Sequence, residues 1–308
     1  MNTVSPATPL SPPRNFLGLP PDDADARTAG VIVLPVPFEE TSTFGHGSRR
    51  GPEAVIAASN ELELYDAVLN VEPYRVAGGI ATLSPMNLDG CDGQAVADRL
   101  REAVAGWLVK DRLVIVLGGE HTSVVGAIHA HADAYEDLTV IQLDAHSDLR
   151  PEYLGSPWNH ACAMARVLDF HPDLVQVGIR SQAQEERAIA GARNLQVFFA
   201  HHIHRSKDWI ADVIAASNRN VYVTIDCDVL DPSIMPATGT PEPDGLTWPQ
   251  IDALLARLCV DRNVVGFDVS ELAPIPGVMH PEFTIAKLIY RFIGYRCPCR
   301  HRFQEQGG

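Results

Sequence analysis

The chain has 308 residues, of which 46% are hydrophobic and 20% charged, with a formal net charge of −15. Such a chain is an ordinary soluble globular one, long enough for one large α/β domain or two small ones. So acidic a surface disfavours nucleic acid and anionic membrane and attracts small cations, and no apolar run approaches the roughly 18 residues of a membrane helix. Residues 1–29 are rich in proline, Ser, Thr and Asp and read as a weakly structured N-terminal arm, although Phe16-Leu17-Gly18-Leu19 can pack on the body or on a neighbouring subunit. A β-branched run over 31–36 is the first expected strand. The Gly-, Thr- and Ser-rich loop over 37–51 follows it, and Pro52 opens a helix to about residue 58. The segment over 61–85 alternates irregularly, and one or two short strands are expected in it, near Tyr65 and Val76. Val96, Leu100, Val104 and Leu108 form one stripe, predicting a surface helix over 94–110.

The alternation then becomes regular. Strands are expected over 113–117, 138–143, 174–178, 195–199, 221–225 and 264–267. Helices are expected over 123–131, 159–168, from Glu185 onward, and over 207–216, 248–259 and 281–293. The strands are apolar on both faces, which predicts a parallel sheet covered on both sides. No linker divides the chain, so residues 30–308 are expected to form a single catalytic domain. The N-terminus lacks the basic region and apolar core of a signal peptide, and cytoplasm is the expected location. Of the six cysteines, Cys162, Cys227 and Cys259 lie in apolar surroundings that suit buried, reduced thiols. Cys297-Pro298-Cys299 reads either as a two-ligand metal clip or redox pair, or as part of a polar tail.

Polar residues gather where strands end. Gly118-Gly119-Glu120-His121 closes one strand, and the two glycines allow a sharp turn and close approach of another chain. Asp144-Ala145-His146-Ser147-Asp148 closes the next, with candidate ligands at i, i+2 and i+4. In extended chain such residues share a face roughly 6.5 Å apart, too far for one ion but suited to two if the chain bends. Asp226 and Asp228, in Thr224-Ile225-Asp226-Cys227-Asp228, repeat the i, i+2 pattern. Carboxylates converging on one sheet edge repel strongly unless cations separate them, and oxygen with imidazole donors favours manganese, iron or magnesium over structural zinc. Glu271 closes a fourth strand without a ligand partner of its own and suits recognition of a cation.

These motifs, with Asp231-Pro232 and the segment from Ala237 to Leu246, resemble the ureohydrolase family of arginases, agmatinases and related amidinohydrolases over roughly residues 31 to 295. The resemblance implies a three-layer α/β/α fold with a mostly parallel eight-stranded sheet, two manganese ions per subunit, and a homo-oligomer, trimer or hexamer. It implies that His121 and Asp148 hold one ion, that His146 and Asp228 hold the other, and that Asp144 and Asp226 bridge both. By the same resemblance Glu271 binds the guanidinium, His160 moves protons near the product amine, and a metal-bridging hydroxide attacks the guanidinium carbon. Asp148 would carry the proton to the departing nitrogen.

The stretch from Leu149 to Gly155 departs from the arginase pattern of asparagine and serine and looks more like bacterial agmatinases. Agmatine, a small cationic guanidino substrate, would then give putrescine and urea, with Glu152 the candidate for its far ammonium. Arg150 is expected to turn away into a salt link. Were it to face the pocket, guanidinobutyrate or another guanidino acid would fit better, and a guanidinobutyrase or arginase is the alternative enzyme. The non-enzymatic alternative is a metal-stabilised binding protein.

Overall fold

The computed structural model describes residues 8–109 and 112–304, with side chains as far as residue 297. Its strands are β1 (Val31–Val36), β2 (Ile80–Thr82), β3 (Leu113–Gly118), β4 (Leu138–Leu143), β5 (Leu174–Ile179), β6 (Gln196–Phe199), β7 (Asn220–Asp226) and β8 (Asn263–Ser270). They form one eight-stranded sheet in the order β2-β1-β3-β8-β7-β4-β5-β6, and each ladder is parallel. The helices are α1 (Gly51–Ser59), α2 (Pro73–Val76), α3 (Gly93–Ala105), α4 (Val125–Ala134), α5 (Ala163–Val167), α6 (Gln184–Ala192), α7 (Ala200–Ile203), α8 (Trp209–Ala215), α9 (Trp248–Asp261) and α10 (His280–Gln304). The result is the three-layer α/β/α arrangement.

Period-two alternation splits the strands between two cores. Val31, Val33, Leu113, Ile115, Val221 and Val223 pack with residues of α1, α8, α9 and α10. Ile32, Leu34, Val114, Val116 and Tyr222 pack on the other face with Val96, Leu100 and Val104 of α3 and with residues of α4 and α5. Each such side chain, fully withdrawn from water, contributes about 1.5–3 kcal/mol. The carboxylate of Asp92 starts α3 by accepting the Ala95 N–H at 2.9 Å. That helix stops at Ala105, ahead of Gly106 and short of the expected 110.

The segment over 61–85 holds one short strand, β2, but at neither expected position. Tyr65 lies outside any strand, and Val76 ends helix α2. Pro73 at the first turn of α2 favours helix, and the positive φ angles of Gly78 and Gly79 turn the chain into β2 only afterwards. The arm packs on its own body from residue 8, whose carbonyl accepts the Ser84 N–H at 2.8 Å, and Pro9 bridges Leu83. Phe16, Leu17 and Leu19 are buried, the Phe16 N–H donates to Thr82 Oγ1 at 2.9 Å and the Leu17 N–H to Ser59 Oγ at 2.7 Å. Cys162, Cys227 and Cys259 are buried. The Cys299 side chain, half of the pair noted in the sequence, lies outside the described residues. No described helix is long and apolar enough to cross a membrane.

The register places the site. Leu117, Val269, Ile225 and Leu143 form one row across β3, β8, β7 and β4. Adjacent strands lie about 4.8 Å apart, so the residues just beyond this row, Gly118, Ser270, Asp226 and Asp144, open one crevice at the carboxyl edge. Four strand ends up to 150 residues apart in sequence (His121 and Glu271 hydrogen-bond across that separation) are thus laid side by side.

Candidate metal centre and substrate cavity

At the end of β3 the chain threads a narrow gap. A Cβ on Gly119 would stand 2.0 Å from the Phe38 carbonyl oxygen, so any larger residue would push the turn away from β1. Past the turn, buried Glu120 accepts the Glu40 and Thr41 N–H groups on Oε2 at 2.8 and 2.7 Å. It fastens the loop after β1 and is not a ligand. His121 follows, and its N–H donates to Glu271 Oε1 at 2.7 Å.

Around His121 Nδ1 lie Asp148 Oδ2 at 2.9 Å, Asp144 Oδ2 at 3.1 Å and Asp226 Oδ2 at 3.6 Å. His146 Nδ1 is 2.9 Å from Asp228 Oδ2 and 3.7 Å from Asp144 Oδ1. Two ligand sets result, His121–Asp144–Asp226 and Asp144–His146–Asp228, each with its donor atoms within 4.8 Å of one another. Asp144 belongs to both, one oxygen turned to each imidazole.

The surrounding hydrogen bonds show that these donors suit cations. Thr224 Oγ1 gives its proton to Asp268 Oδ1 at 2.8 Å, so at 2.9 Å from His121 Nε2 it accepts that nitrogen's hydrogen. Nδ1 is thus the nitrogen aimed at the three carboxylates. Burial opposes charge on this ring, but Asp144 and Asp148 hold its pKa well above the usual imidazole range, so Nδ1 bears a proton where an ion would otherwise sit. Gln142 Nε2 donates to Asp144 Oδ2 at 2.7 Å, the Ala145 N–H to Asp228 Oδ1 at 2.9 Å and the Asp228 N–H to Asp226 Oδ1 at 2.9 Å. These bonds orient the carboxylates without neutralising them.

Electrostatics carry the same message. Burial, then the Asp228 and Asp148 carboxylates, push Asp144 up to about 7, and burial with Asp228 and Asp144 lifts Asp226 well above the carboxylate range. Burial opposes charge on both members of the His146–Asp228 pair, but their attraction prevails, with His146 raised to about 10 and Asp228 held down to about 2. Left without metal, the cluster recruits protons to offset its charge. Asp148 and Glu271 also adopt left-handed backbone, with φ of 53° and 64°. For non-glycine residues this costs on the order of 1–3 kcal/mol, a strain typical of positions held for function.

A cavity of about 280 Å³ opens beside these groups. Asp148, Asp226, Asp228 and Glu271 line its buried side, and His160, Tyr153 and Arg150 line another wall. His160 is held by Thr41 and meets the Tyr153 ring edge-on at 6.3 Å, and burial lowers its pKa. Arg150 does two things at once. It lines the cavity, yet its guanidinium stacks over Tyr153 at 4.7 Å and pairs with Glu185 at 3.5 Å and more loosely with Glu186 at 4.0 Å.

Glu152 is exposed and does not line the cavity. The carboxylate on that side belongs to Glu186, which accepts the Leu149 and Ala183 N–H groups at 2.9 and 2.6 Å. Sequence reasoning had assigned no function to Gln142, Thr224 or Asp268. Their signal was present as polar residues breaking otherwise apolar strands. Thr41 and Glu186 carried no such mark.

Residues 29–294 match the arginase family model. The N(1)-aminopropylagmatine ureohydrolase of Synechocystis is 36% identical over 301 residues, spanning 94% of this chain and 96% of that protein. The agmatinase of Bacillus cereus is 34% identical, over 80% of this chain and 84% of its own. Among solved structures, the agmatine ureohydrolase of Thermoplasma volcanium superposes with a TM-score of 0.81 at 29% identity, covering 93% of this chain and 95% of that one.

Proposed function

The chain belongs to the arginase family, and from that premise we infer that it hydrolyses the guanidinium group of agmatine to putrescine and urea, using two manganese ions. One observation carries the reading. Asp144 is shared by two imidazole–carboxylate sets, while Glu271, outside both, lines the same cavity. In this reading His121 and Asp148 would hold one ion and His146 and Asp228 the other, with Asp144 and Asp226 available to both. Divalent ions held there supply an acidified water and offset the repulsion among the carboxylates. Oxygen and imidazole donors without thiolate favour manganese for that place.

The chain's own residues do the rest. Glu271 pairs with the guanidinium in the planar two-point geometry that carboxylates favour and fixes its carbon beside the ligand sets. Asp148 takes the proton destined for the departing nitrogen, and His160 exchanges a proton with the product amine. The Arg150 charge is offset by Glu185 and Glu186, so this wall tolerates a cationic tail and offers a substrate carboxylate little attraction. That favours an amine over a guanidino acid.

A second reading, N(1)-aminopropylagmatine as substrate, is favoured by the name and the 36% identity of the Synechocystis relative and by the two acidic residues beside Arg150. A urea-release panel with manganese supplied separates the readings. It comprises agmatine, N(1)-aminopropylagmatine, arginine, guanidinobutyrate and guanidinopropionate. Agmatine is expected to give the highest kcat/KM. Preference for arginine or guanidinobutyrate overturns the amine reading, and metal binding without urea from any of them leaves a metal-stabilised binding protein.

A further inference from the structure

The loop after β1 meets His160 at a single hydroxyl. Thr41 Oγ1 lies 3.0 Å from Glu120 Oε1, accepts the His160 backbone N–H at 2.9 Å, and stands 3.2 Å from His160 Nδ1. A hydroxyl has one proton and two lone pairs. Glu120, whose Oε2 already receives two backbone N–H groups, takes the proton on Oε1, and the His160 N–H takes one lone pair. The remaining lone pair faces Nδ1, so Nδ1 must carry hydrogen. We propose that Thr41 is a positioning residue that holds neutral His160 as its Nδ1–H tautomer and leaves Nε2 as the proton-accepting nitrogen of a ring that lines the cavity.

The chain of contacts is half-buried at Thr41 and His160 and anchored on a buried carboxylate. Glu120 is fully buried, its position is set by the tight Gly118-Gly119 turn, and Tyr153 closes on the ring edge-on. A histidine that exchanges protons works only with the correct nitrogen free, and a wrong tautomer can cost several orders of magnitude in rate. The contribution to catalysis rests on the ureohydrolase reading above. The tautomer does not.

The test therefore has two arms. In the first, Thr41→Val and Thr41→Ser are assayed as manganese-loaded full chains, with metal content measured on each. Thr41→Val keeps the shape and removes the hydroxyl. Its kcat is expected to fall about tenfold or more, with KM changed by less than about threefold and the metal content unchanged. Thr41→Ser, which retains the hydroxyl, is expected to restore most of the loss. Normal kcat in Thr41→Val, or an equal loss in Thr41→Ser, overturns the assignment.

In the second arm, long-range nitrogen–proton NMR on labelled full-length protein before manganese is added reads the His160 tautomer, with the signal identified by its absence in His160→Asn. An Nδ1–H pattern that shifts in Thr41→Val supports the proposal. An Nε2–H pattern in the wild-type chain overturns it. If the wild-type chain releases no urea at all, the proposed activity fails, and this second arm still decides the tautomer.

Discussion

Glu271→Gln tests the division between metal ligands and substrate anchor. The Glu271 side chain is 8% exposed, its Oε1 accepts the His121 N–H at 2.7 Å, and its Oε2 faces Gly239 across the cavity wall. Glutamine keeps the volume, the unbranched Cβ at this left-handed position and the acceptor for His121. It removes the charge and turns a donor toward a substrate that itself only donates. Losing a charge-assisted hydrogen bond costs about 1.5–3 kcal/mol, and leaving a buried cation without its partner costs about 3–5 kcal/mol. An intermediate loss of about 3–4 kcal/mol, at about 1.4 kcal/mol per factor of ten, lowers kcat/KM by about 10²–10³. Steady-state urea release from agmatine measures the fall, and atomic emission on the dialysed protein measures the metal. The expected result is the full loss of rate with metal content as in wild type. Unchanged kcat/KM would refute the anchoring role, and loss of metal would make Glu271 a ligand.

Asp144→Asn should remove one or both ions and nearly all turnover, because one oxygen faces each imidazole, at 3.1 Å from His121 Nδ1 and 3.7 Å from His146 Nδ1. Two bound ions with near-normal turnover would dispose of the shared ligand. Away from the site, burial of His131 on α4 against Gly266 depresses its pKa to about 4. Its unfolded value is about 6.5, so between those limits the unfolded chain binds more protons and stability rises with pH. Acidification from pH 7 to 4 should therefore remove on the order of 2–3 kcal/mol through this residue. Urea denaturation of the wild type and His131→Leu at several pH values checks it, the variant showing a flatter dependence over that window. Parallel curves would contradict the argument.

The parts of the fold visible in the sequence were those governed by near neighbours. Seven of the strands were expected within a residue of their ends at every boundary except the far end of β8, which runs on to Ser270. The reason is that an apolar run covered on both faces has few other ways to hide its backbone polar groups. Near Tyr65 and Val76 the run was irregular, and Pro73 and the Gly78-Gly79 turn overrode the β-branched residue. The ligand pairs were legible too, since i and i+2 share a face wherever an extended strand ends. That His146 meets Asp228 at 2.9 Å and His121 meets Asp148 at 2.9 Å is the work of the sheet order, since each pair joins the ends of two different strands.

Sequence alone thus determined the strand-and-helix alternation and the i, i+2 spacing of Asp144, His146 and Asp148 and of Asp226 and Asp228, because both depend on periodicities of two to four residues. Tertiary structure decided what lay between them. β8 and β7 stand between β3 and β4, so the sheet order brings Glu271 and Asp226 into contact with ligands from β3 and β4. It also decided that Glu152 points outward, that Glu186 lines the cavity in its place, and that Thr41 reaches His160 across 119 residues. Side chains on loops take their direction from whatever packs against them. No local periodicity encodes that partner.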